Sequence, residues 1–149
     1  MRKGITSDRR IGSHFLYPGP GYGGSCFPKD VKALIRTAEK YRQELKIVKS
    51  ADEVNHKQKI YMFEKINKHF DKNIQGKVFT FWGVAFKPNT DDVRESPAAD
   101  MAIILIKNGA KVKFYDPVAA EHFSVMMKGF NFPVERVDSK YEAVDGSDG

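Results

Sequence analysis

The chain has one cysteine, Cys26, in the segment PGPGYGGSCFPKD that spans residues 18–30. A thiol that is reachable from a glycine-rich loop is a candidate nucleophile, because glycines leave the approach of a ligand open. The helix predicted from Asp30 onward favours the thiolate through its N-terminus, whereas an ionised Asp30 disfavours it. The alternative is a buried free cysteine that acts as a small apolar residue. The residue types alone leave both interpretations open.

The same loop is also a candidate binding element. Its backbone amides can surround an anionic or sugar group, because its glycines keep side chains out of the way. It is not a dinucleotide fingerprint, because no predicted strand precedes it. The glycines concerned are Gly19, Gly21, Gly23 and Gly24.

A second candidate loop, VAFKPNTDDVRES, spans residues 84–96 and follows a predicted strand. Ligands of parallel α/β sheets bind at the carboxyl ends of strands, so this loop is well placed for a ligand. Lys87 and Arg94 could contact a phosphate or a carboxamide, and the alternative is that both are solvated loop charges. The acids of this loop lack metal-ligand partners and better suit the N-terminus of a following helix.

Other chemistries find little support in the sequence. The four histidines are scattered, so we expect no metal site and no base paired with the cysteine, which argues against a cysteine hydrolase. The aromatic residues occur at core spacing rather than as a stacking surface, so no nucleic-acid partner is expected. The 25 basic and 19 acidic residues give a net charge of +6, which suits an anionic partner without identifying it.

The elements that must position these loops begin with two helices. One is predicted from Asp30 by DVKALIRTAEKYR, and a second runs from Ser50 to Phe70, where Ser50 and Glu53 form a capping-box pattern. At about 1.5 Å per residue the second helix is on the order of 30 Å long, enough for the spine of a helical domain or for a dimer contact. Its predicted apolar side carries Val54, Met62, Phe63, Ile66 and Phe70.

The remainder of the chain predicts alternating strands and helices. GKVFTFWG predicts a buried strand, and Ser96 caps a helix with Pro97 in its first turn and Gly109 past its end. KVKFYDP predicts a second strand, VAAEHFSVMMKG a helix that Gly129 ends, FPVERV a third strand and SKYEAVDG a last helix. Strands and helices of these lengths indicate a parallel α/β unit with right-handed crossovers.

The whole chain of 149 residues can hold a proper core. We expect a helical region at 1–73 and a Rossmann-like domain at 74–149. No apolar run approaches the roughly 20 residues of a membrane span, and no signal peptide is recognised, so we expect a soluble protein of the reducing cytoplasm. Both ends are expected to be cut, since the chain starts in a polar segment and stops where a further strand would follow.

Three segments in this order resemble the UDP-glucose/GDP-mannose dehydrogenase family, and within it the enzymes acting on UDP-glucose. They are RIGSHFLYPGPGYGGSCFPKDVKAL, SADEVN and GVAFKPNTDDVRESPA. The resemblance extends from about Arg10 to Asp148. Family members that act on GDP-mannose or UDP-N-acetylmannosamine share the cysteine motif and remain alternatives, as does a non-catalytic nucleotide-binding or dimerisation module.

The resemblance implies a domain organisation. Family members have an NAD-binding Rossmann domain, a central helical domain that forms the dimer and a C-terminal domain that binds the UDP-sugar. This chain is then expected to be a central and C-terminal fragment that lacks the NAD-binding domain, to be inactive alone, and to form a homodimer through its central helices. The family is part of nucleotide-sugar metabolism and polysaccharide biosynthesis.

The resemblance also implies a reaction and a set of site residues. The reaction is the NAD-dependent four-electron oxidation of UDP-glucose to UDP-glucuronate, with Cys26 as the nucleophile that forms a thiohemiacetal and a thioester, and with Asp30 assisting water and proton transfers. The family's other catalytic residues come from segments that precede this chain. The implied substrate contacts are Arg10, Phe15, Leu16, Tyr17, Pro18, Gly19, Pro20, Gly21, Tyr22, Gly23, Phe86 and Lys87. The implied contacts to NAD are Cys26, Phe27, Pro28, Lys29 and Arg94, and no metal is implied.

Overall fold

The computed structural model describes residues 1–13 and 16–149. Helices come first and a parallel α/β unit follows, which confirms the predicted fold class of a helical segment followed by a Rossmann-like domain. The elements are α1 (Arg2–Ile5), α2 (Phe27–Lys40), α3 (Lys46–His69), β1 (Val78–Trp82), α4 (Pro97–Lys107), β2 (Lys111–Tyr115), α5 (Ala120–Gly129), β3 (Glu135–Arg136) and α6 (Lys140–Val144).

The three strands form one sheet in the order β1-β2-β3, and both neighbouring pairs are parallel. Val78 lies opposite Lys111 at the start of the β1–β2 pair, and Trp82 lies opposite Tyr115 at its end. The carboxyl ends of β1 and β2 therefore lie side by side. The loop at 84–96 leaves the sheet at this end, as the sequence predicts.

The hydrophobic core lies mainly in the α/β unit. Phe114 of β2 and Phe123 of α5 are completely buried, and their ring centroids are 4.9 Å apart. Helix α3 also joins this core, because Phe70 at its end packs edge-on against Phe79 of β1 with 5.6 Å between ring centroids. The long helix thus connects the two predicted regions.

Both long helices begin earlier than predicted. Helix α2 begins at Phe27, with Pro28 in its first turn, where a missing N–H costs nothing. Helix α3 begins at Lys46, so Ser50 lies inside the helix, and the predicted capping box of Ser50 and Glu53 is wrong. No glycine or proline interrupts residues 46–50, and the helix extends through them.

The buried side of α3 differs in part from the predicted one. Val54 is 62% exposed and Met62 is 46% exposed, so these two positions are wrong. Their place is taken by two polar residues one turn apart. The buried line runs through Asn55, Lys59, Phe63, Ile66 and Phe70, at intervals of three and four residues.

The sheet edges account for two further differences. Strand β1 is an edge strand and is only partly buried: Phe79 lies in the core, whereas Trp82 is 60% exposed. Strand β3 has two residues, both exposed, rather than the predicted FPVERV. Gly129 is the last residue of α5, and Asn131, with φ 61°, makes the turn that follows.

The N-terminus of α4 follows the prediction and does more than cap the helix. The buried Ser96 hydroxyl accepts a hydrogen bond from the Ala99 N–H at 3.1 Å and donates one to the Val84 carbonyl at 2.8 Å. A single side chain therefore joins the start of α4 to the end of β1. Gly109, with φ 83°, follows the helix as predicted.

Among residues 1–13 and 16–149, no helix is both long and apolar enough to cross a membrane. Within the same ranges, no three or more histidine, cysteine, aspartate or glutamate side chains are grouped so that they could hold a metal ion.

Replacing Ser96 by alanine removes the helix cap and leaves the buried Val84 carbonyl without its donor. We expect Ser96→Ala to lower the free energy of unfolding by about 2 kcal/mol. The fluorescence of Trp82, the one tryptophan of the chain, can follow urea unfolding. The control is Ser50→Ala, which should change stability by less than about 0.5 kcal/mol because Ser50 caps nothing. Equal effects of the two substitutions would contradict this account of α4.

Candidate functional site

The glycine-rich loop before α2 is held on one side by amide side chains of α3. The Asn55 side chain accepts a hydrogen bond from the Tyr22 N–H at 2.7 Å and donates one to the Tyr22 carbonyl at 3.1 Å. The Gln58 side chain donates to the Gly19 carbonyl at 2.9 Å. A carboxamide carries both a donor and an acceptor, so one buried asparagine fixes both backbone groups of Tyr22.

On its other side the glycine loop meets the loop at 84–96. The Gly24 N–H donates to the Arg94 carbonyl at 2.8 Å. A Cβ atom at Gly23 would overlap the Glu95 carbonyl, and one at Gly24, which has φ 88°, would lie 2.7 Å from the Phe86 ring. Glycine is needed at Gly23 because the Glu95 backbone is too close for a side chain, and at Gly24 because the Phe86 ring is. The two candidate loops of the sequence therefore meet.

Glu95 lies at the centre of this junction in the left-handed region, with φ 50°. Its carboxylate accepts from the Lys32 ammonium of α2 at 3.0 and 3.2 Å. Its carbonyl accepts from the Lys59 ammonium of α3 at 3.1 Å, and Lys59 also pairs with Asp100 of α4 at 2.7 Å. Glu95 thus joins α2 to α3, and Lys59 joins α3 to α4.

Cys26 lies at the N-cap position of α2 and is exposed, so the interpretation as a buried apolar cysteine is wrong. Its sulfur is 3.7 Å from the Ser25 hydroxyl. Asp30 follows one helical turn later, and its N–H donates to the Cys26 carbonyl at 2.9 Å. The Asp30 carboxylate is 66% exposed and lies 3.7 Å from the Lys29 ammonium. The thiol and the carboxylate are therefore both accessible to solvent and separated by one turn.

The residues between Cys26 and Asp30 differ in exposure. Phe27 is 68% exposed and meets the ring of Tyr22 at an interplanar angle of 79°. Lys29 is exposed, whereas Pro28 is buried and offers little surface to a ligand. The first turn of α2, directly after the thiol, thus exposes an aromatic ring and an ammonium.

Arg94 is an exposed side chain held by Asp92. Its guanidinium donates to both carboxylate oxygens of Asp92, at 2.8 and 2.7 Å. The hydrogen bond from Arg94 is the main cause that lowers the pKa of Asp92 to about 2. In turn Asp92 raises the pKa of Arg94, and the charge of Cys26 acts in the same direction. The Asp92 carboxylate is therefore the main charge that acts on Arg94.

Phe86 and Lys87 lie at the same junction. The ring of Phe86 is half-buried and covers Gly24. The exposed Lys87 ammonium lies 5.1 Å from the centroid of that ring. The predicted C-terminal contacts thus lie beside the cysteine loop.

The predicted site residues that precede Gly21 and that the structure describes are exposed. Arg10 is exposed and pairs with Asp8 at 2.6 Å, which raises the pKa of Arg10 and lowers that of Asp8. The guanidinium of Arg2 covers the exposed Tyr17 ring at 3.8 Å. Phe15 lies outside the described residues. Leu16, Pro18, Gly19 and Pro20 are exposed, whereas Gly21 is half-buried against α3.

Two open grooves are present in the described parts of the chain. One, of about 420 Å³, lies between the glycine loop and α3, and Tyr17, Gly19, Gly21 and Tyr22 contribute to its wall. The other, of about 430 Å³, lies beside β1 and is lined by Thr80, Trp82, Val144 and residues 147–149. None of the predicted site residues lines the second groove.

Three residues that shape the site have no role assigned from the sequence. Asn55 and Lys59 could have been noticed as two polar residues, one turn apart, in the apolar line of α3. Asp116 follows β2, and its carboxylate accepts from the N–H groups of Val84, Val118 and Ala119 at 2.7–2.8 Å. Burial would raise the pKa of Asp116, but these backbone donors outweigh burial and lower it. The aspartate thus joins the ends of β1 and β2.

The fold and the site together define a two-part protein: a helical segment carries an exposed cysteine on a loop that meets the loop following β1 of a parallel α/β unit. The chain belongs to the UDP-glucose/GDP-mannose dehydrogenase family. The model of the family's central domain matches residues 1–57, and the model of its UDP binding domain matches residues 80–149.

Three similar proteins illustrate the match. A UDP-glucose 6-dehydrogenase of Pseudomonas aeruginosa is 42% identical over 99% of this chain, which spans 33% of that protein. The solved structure of a UDP-glucose dehydrogenase from Pyrobaculum islandicum has a TM-score of 0.90 and 35% identity, covering 99% of this chain and 33% of that one. A GDP-mannose dehydrogenase from Pseudomonas aeruginosa has a TM-score of 0.74 and 28% identity, covering 98% and 34%. The chain thus spans about a third of the length of these relatives.

The ion pair of Arg94 and Asp92 can be tested by titration. Because the folded-state pKa of Asp92 lies below its ordinary 3.8, the pair stabilises the fold above that pH, and the stabilisation is lost as the pH falls through about 2. We expect Arg94→Ala to raise the pKa of Asp92 toward 3.8, as followed by its carboxyl chemical shift. Lys87→Ala is the control, since Lys87 contributes least to the shift. An unchanged Asp92 pKa in Arg94→Ala would show that Arg94 does not hold this carboxylate.

Proposed function

We propose that this chain is part of a nucleotide-sugar dehydrogenase that oxidises the C6 alcohol of UDP-glucose to a carboxylate, with Cys26 as the nucleophile. The observation that carries the proposal is the contact of the two loops, in which Gly24 packs on Phe86 and bonds to Arg94. An exposed thiol lies on one of these loops and two exposed cations, Lys87 and Arg94, lie on the other, which follows the first of the parallel strands. Ligands of such sheets bind at this end.

The chemistry assigned to Cys26 follows from the properties of a thiolate. After the alcohol is oxidised to an aldehyde, the thiolate adds to the carbonyl carbon and forms a C–S bond, which gives a thiohemiacetal. A second oxidation converts this adduct to a thioester. Water then attacks the thioester carbon and the C–S bond breaks, which releases the carboxylate and returns the thiolate. The exposure of Cys26 supports this role, because the sulfur must reach a substrate carbon.

We propose that Asp30 assists the attack of water and the proton transfers of this cycle. Its carboxylate is solvent-accessible and lies one helical turn from Cys26. A carboxylate in this place can accept a proton from the attacking water and pass it to solvent. The open surroundings of Asp30 allow both exchanges.

The residues near Cys26 fit a nicotinamide cofactor. Phe27 offers an exposed aromatic ring against which a planar nicotinamide ring can pack. Lys29 and Arg94 offer exposed cations for the carboxamide or the phosphates of the cofactor. The buried Pro28 contributes shape rather than contact surface. NAD, when bound, accepts the hydride released in each of the two oxidations.

Among nucleotide sugars, UDP-glucose is favoured as the substrate because the more similar relatives are named for it. The structural neighbour named for UDP-glucose has the higher identity and TM-score, and the neighbour named for GDP-mannose has the lower ones. We assign the uridine diphosphate to the glycine loop from Leu16 to Gly23, with Phe86 and Lys87 at the other side. Phe15 and Arg10 belong to the same proposed set, Arg10 toward the substrate of a partner subunit.

The decisive test joins this chain to the NAD-binding domain of a related UDP-glucose 6-dehydrogenase. The joined protein should produce NADH from UDP-glucose in preference to GDP-mannose and UDP-N-acetylmannosamine. Cys26→Ser should lower uronate formation at least about a thousand-fold, because the serine hydroxyl is a far weaker nucleophile. Calorimetry should show that UDP-glucose binding is retained in this variant.

The control for Cys26→Ser is Thr37→Ala, on the same helix, where the threonine hydroxyl donates to the Ala33 carbonyl. Its uronate formation should stay within a few-fold of the parent. If Cys26→Ser formed uronate at the parental rate, the nucleophile assignment would fail and a non-catalytic binding module would be favoured. Turnover by the 149-residue chain alone would refute the expectation that it is inactive by itself.

The proposed protein is also a homodimer, paired through α3. This helix exposes a set of large apolar side chains that a second copy could cover: Ile47, Val54, Ile60, Tyr61 and Met62. Light scattering should give twice the mass of one chain, and Val54→Glu should shift the protein to the monomer. The control is Lys57→Glu on the same helix. A monomeric mass of the parent protein at high micromolar concentration would refute the dimer.

A further inference from the structure

Lys59 is the least expected charged residue of the molecule. It is only 7% exposed, although it lies in the middle of a long helix whose other lysines face solvent or its margin. A lysine is rarely buried without paired acceptors, because removing its charge from water is costly. The ammonium has such acceptors on the other half of the chain: the Asp100 carboxylate at 2.7 Å and the Glu95 carbonyl at 3.1 Å.

The second acceptor is the informative one. Glu95 has φ 50°, which is costly for a residue with a side chain and persists only when surrounding contacts impose it. The hydrogen bond from Lys59 fixes the Glu95 carbonyl, and the same carbonyl forms the surface against which Gly23 packs. Because the backbone is held in this conformation, the Glu95 carboxylate reaches Lys32 of α2 at 3.0 Å.

We propose that Lys59 is a positioning residue, which holds Glu95 and so aligns the cysteine loop and helix α2 with the loop that carries Phe86, Lys87 and Arg94. Its side-chain stem packs against Gly21 of the glycine loop, and its ammonium acts on the junction through Glu95. The relevance to catalysis rests on the proposed function, whereas the alignment is a property of the chain that can be measured without ligand.

Amide hydrogen exchange of the unliganded chain tests the alignment. The reporter is the Gly24 N–H, which bonds to the Arg94 carbonyl across the junction. Lys59→Met should speed its exchange at least about tenfold, while the amides of β2 keep their parental protection. Lys59→Arg, which keeps the charge, should restore Gly24 exchange to within about threefold of the parent. Lys57→Met, an exposed neighbour on α3, should change neither.

Two outcomes would overturn the proposal. The first is parental Gly24 exchange in a folded Lys59→Met protein. The second is an equal loss of protection at Gly24 and in β2, since Lys59 would then support the whole fold rather than the junction. If Lys59→Met does not fold, Asp100→Asn removes one acceptor charge at a half-exposed position, and the same comparison between Gly24 and β2 decides.

Alkylation of Cys26 by iodoacetamide connects the alignment with the proposed site. With a single cysteine in the chain, mass spectrometry reports this thiol alone. UDP-glucose should slow the alkylation of the parent and of Lys59→Arg, and should slow that of Lys59→Met much less at the same ligand concentration. Absence of protection in the parent counts against the proposed function and leaves the exchange result intact. Equal protection in the parent and in Lys59→Met counts against the positioning role.

Discussion

An ammonium group that is shielded from water must be surrounded by acceptors, and Lys59 has its acceptors on segments that are distant in sequence. This requirement ties α3 to the start of α4 and to the backbone of Glu95. Asn55, one turn earlier, ties the same helix to the glycine loop. The two buried polar residues of α3 therefore hold the two loops of the site from one side, while apolar residues farther along the helix join the core. Helix α3 therefore fixes the positions of both loops through these hydrogen bonds.

The elements of the α/β unit could be predicted because each has a local signal. Ser96 and Pro97 mark the start of α4, and the alternating pattern KVKFY marks β2, whose Val112 and Phe114 are buried. The predicted starts of both long helices are wrong because a good capping residue, Asp30 in α2 and Ser50 in α3, lies within a segment that is already helical. Tertiary contacts, rather than local preference, decide where such a helix begins.

Several residues of the candidate site could be recognised from the sequence, but the contacts between them could not. Cys26, Lys87 and Arg94 stand out in the sequence as reactive or charged residues beside loops. Nothing in the local pattern indicates that Gly24 packs on Phe86, or that Glu95 adopts a left-handed conformation between two lysines. These are consequences of close backbone contact between segments far apart in the chain. A glycine in the sequence indicates that some group can approach closely, but it does not indicate which one.

The ion pair of Lys32 with Glu95 joins residues 63 positions apart, and it has a consequence for the order of folding. Contacts over such distances require the closure of a long loop, so they form after local helices and neighbouring strand pairs. Glu95 directly precedes Ser96, which joins the end of β1 to the start of α4. The surroundings of Cys26 are therefore completed late, when the α/β unit is already formed. During synthesis and refolding the thiol is therefore present before the two loops beside it have met.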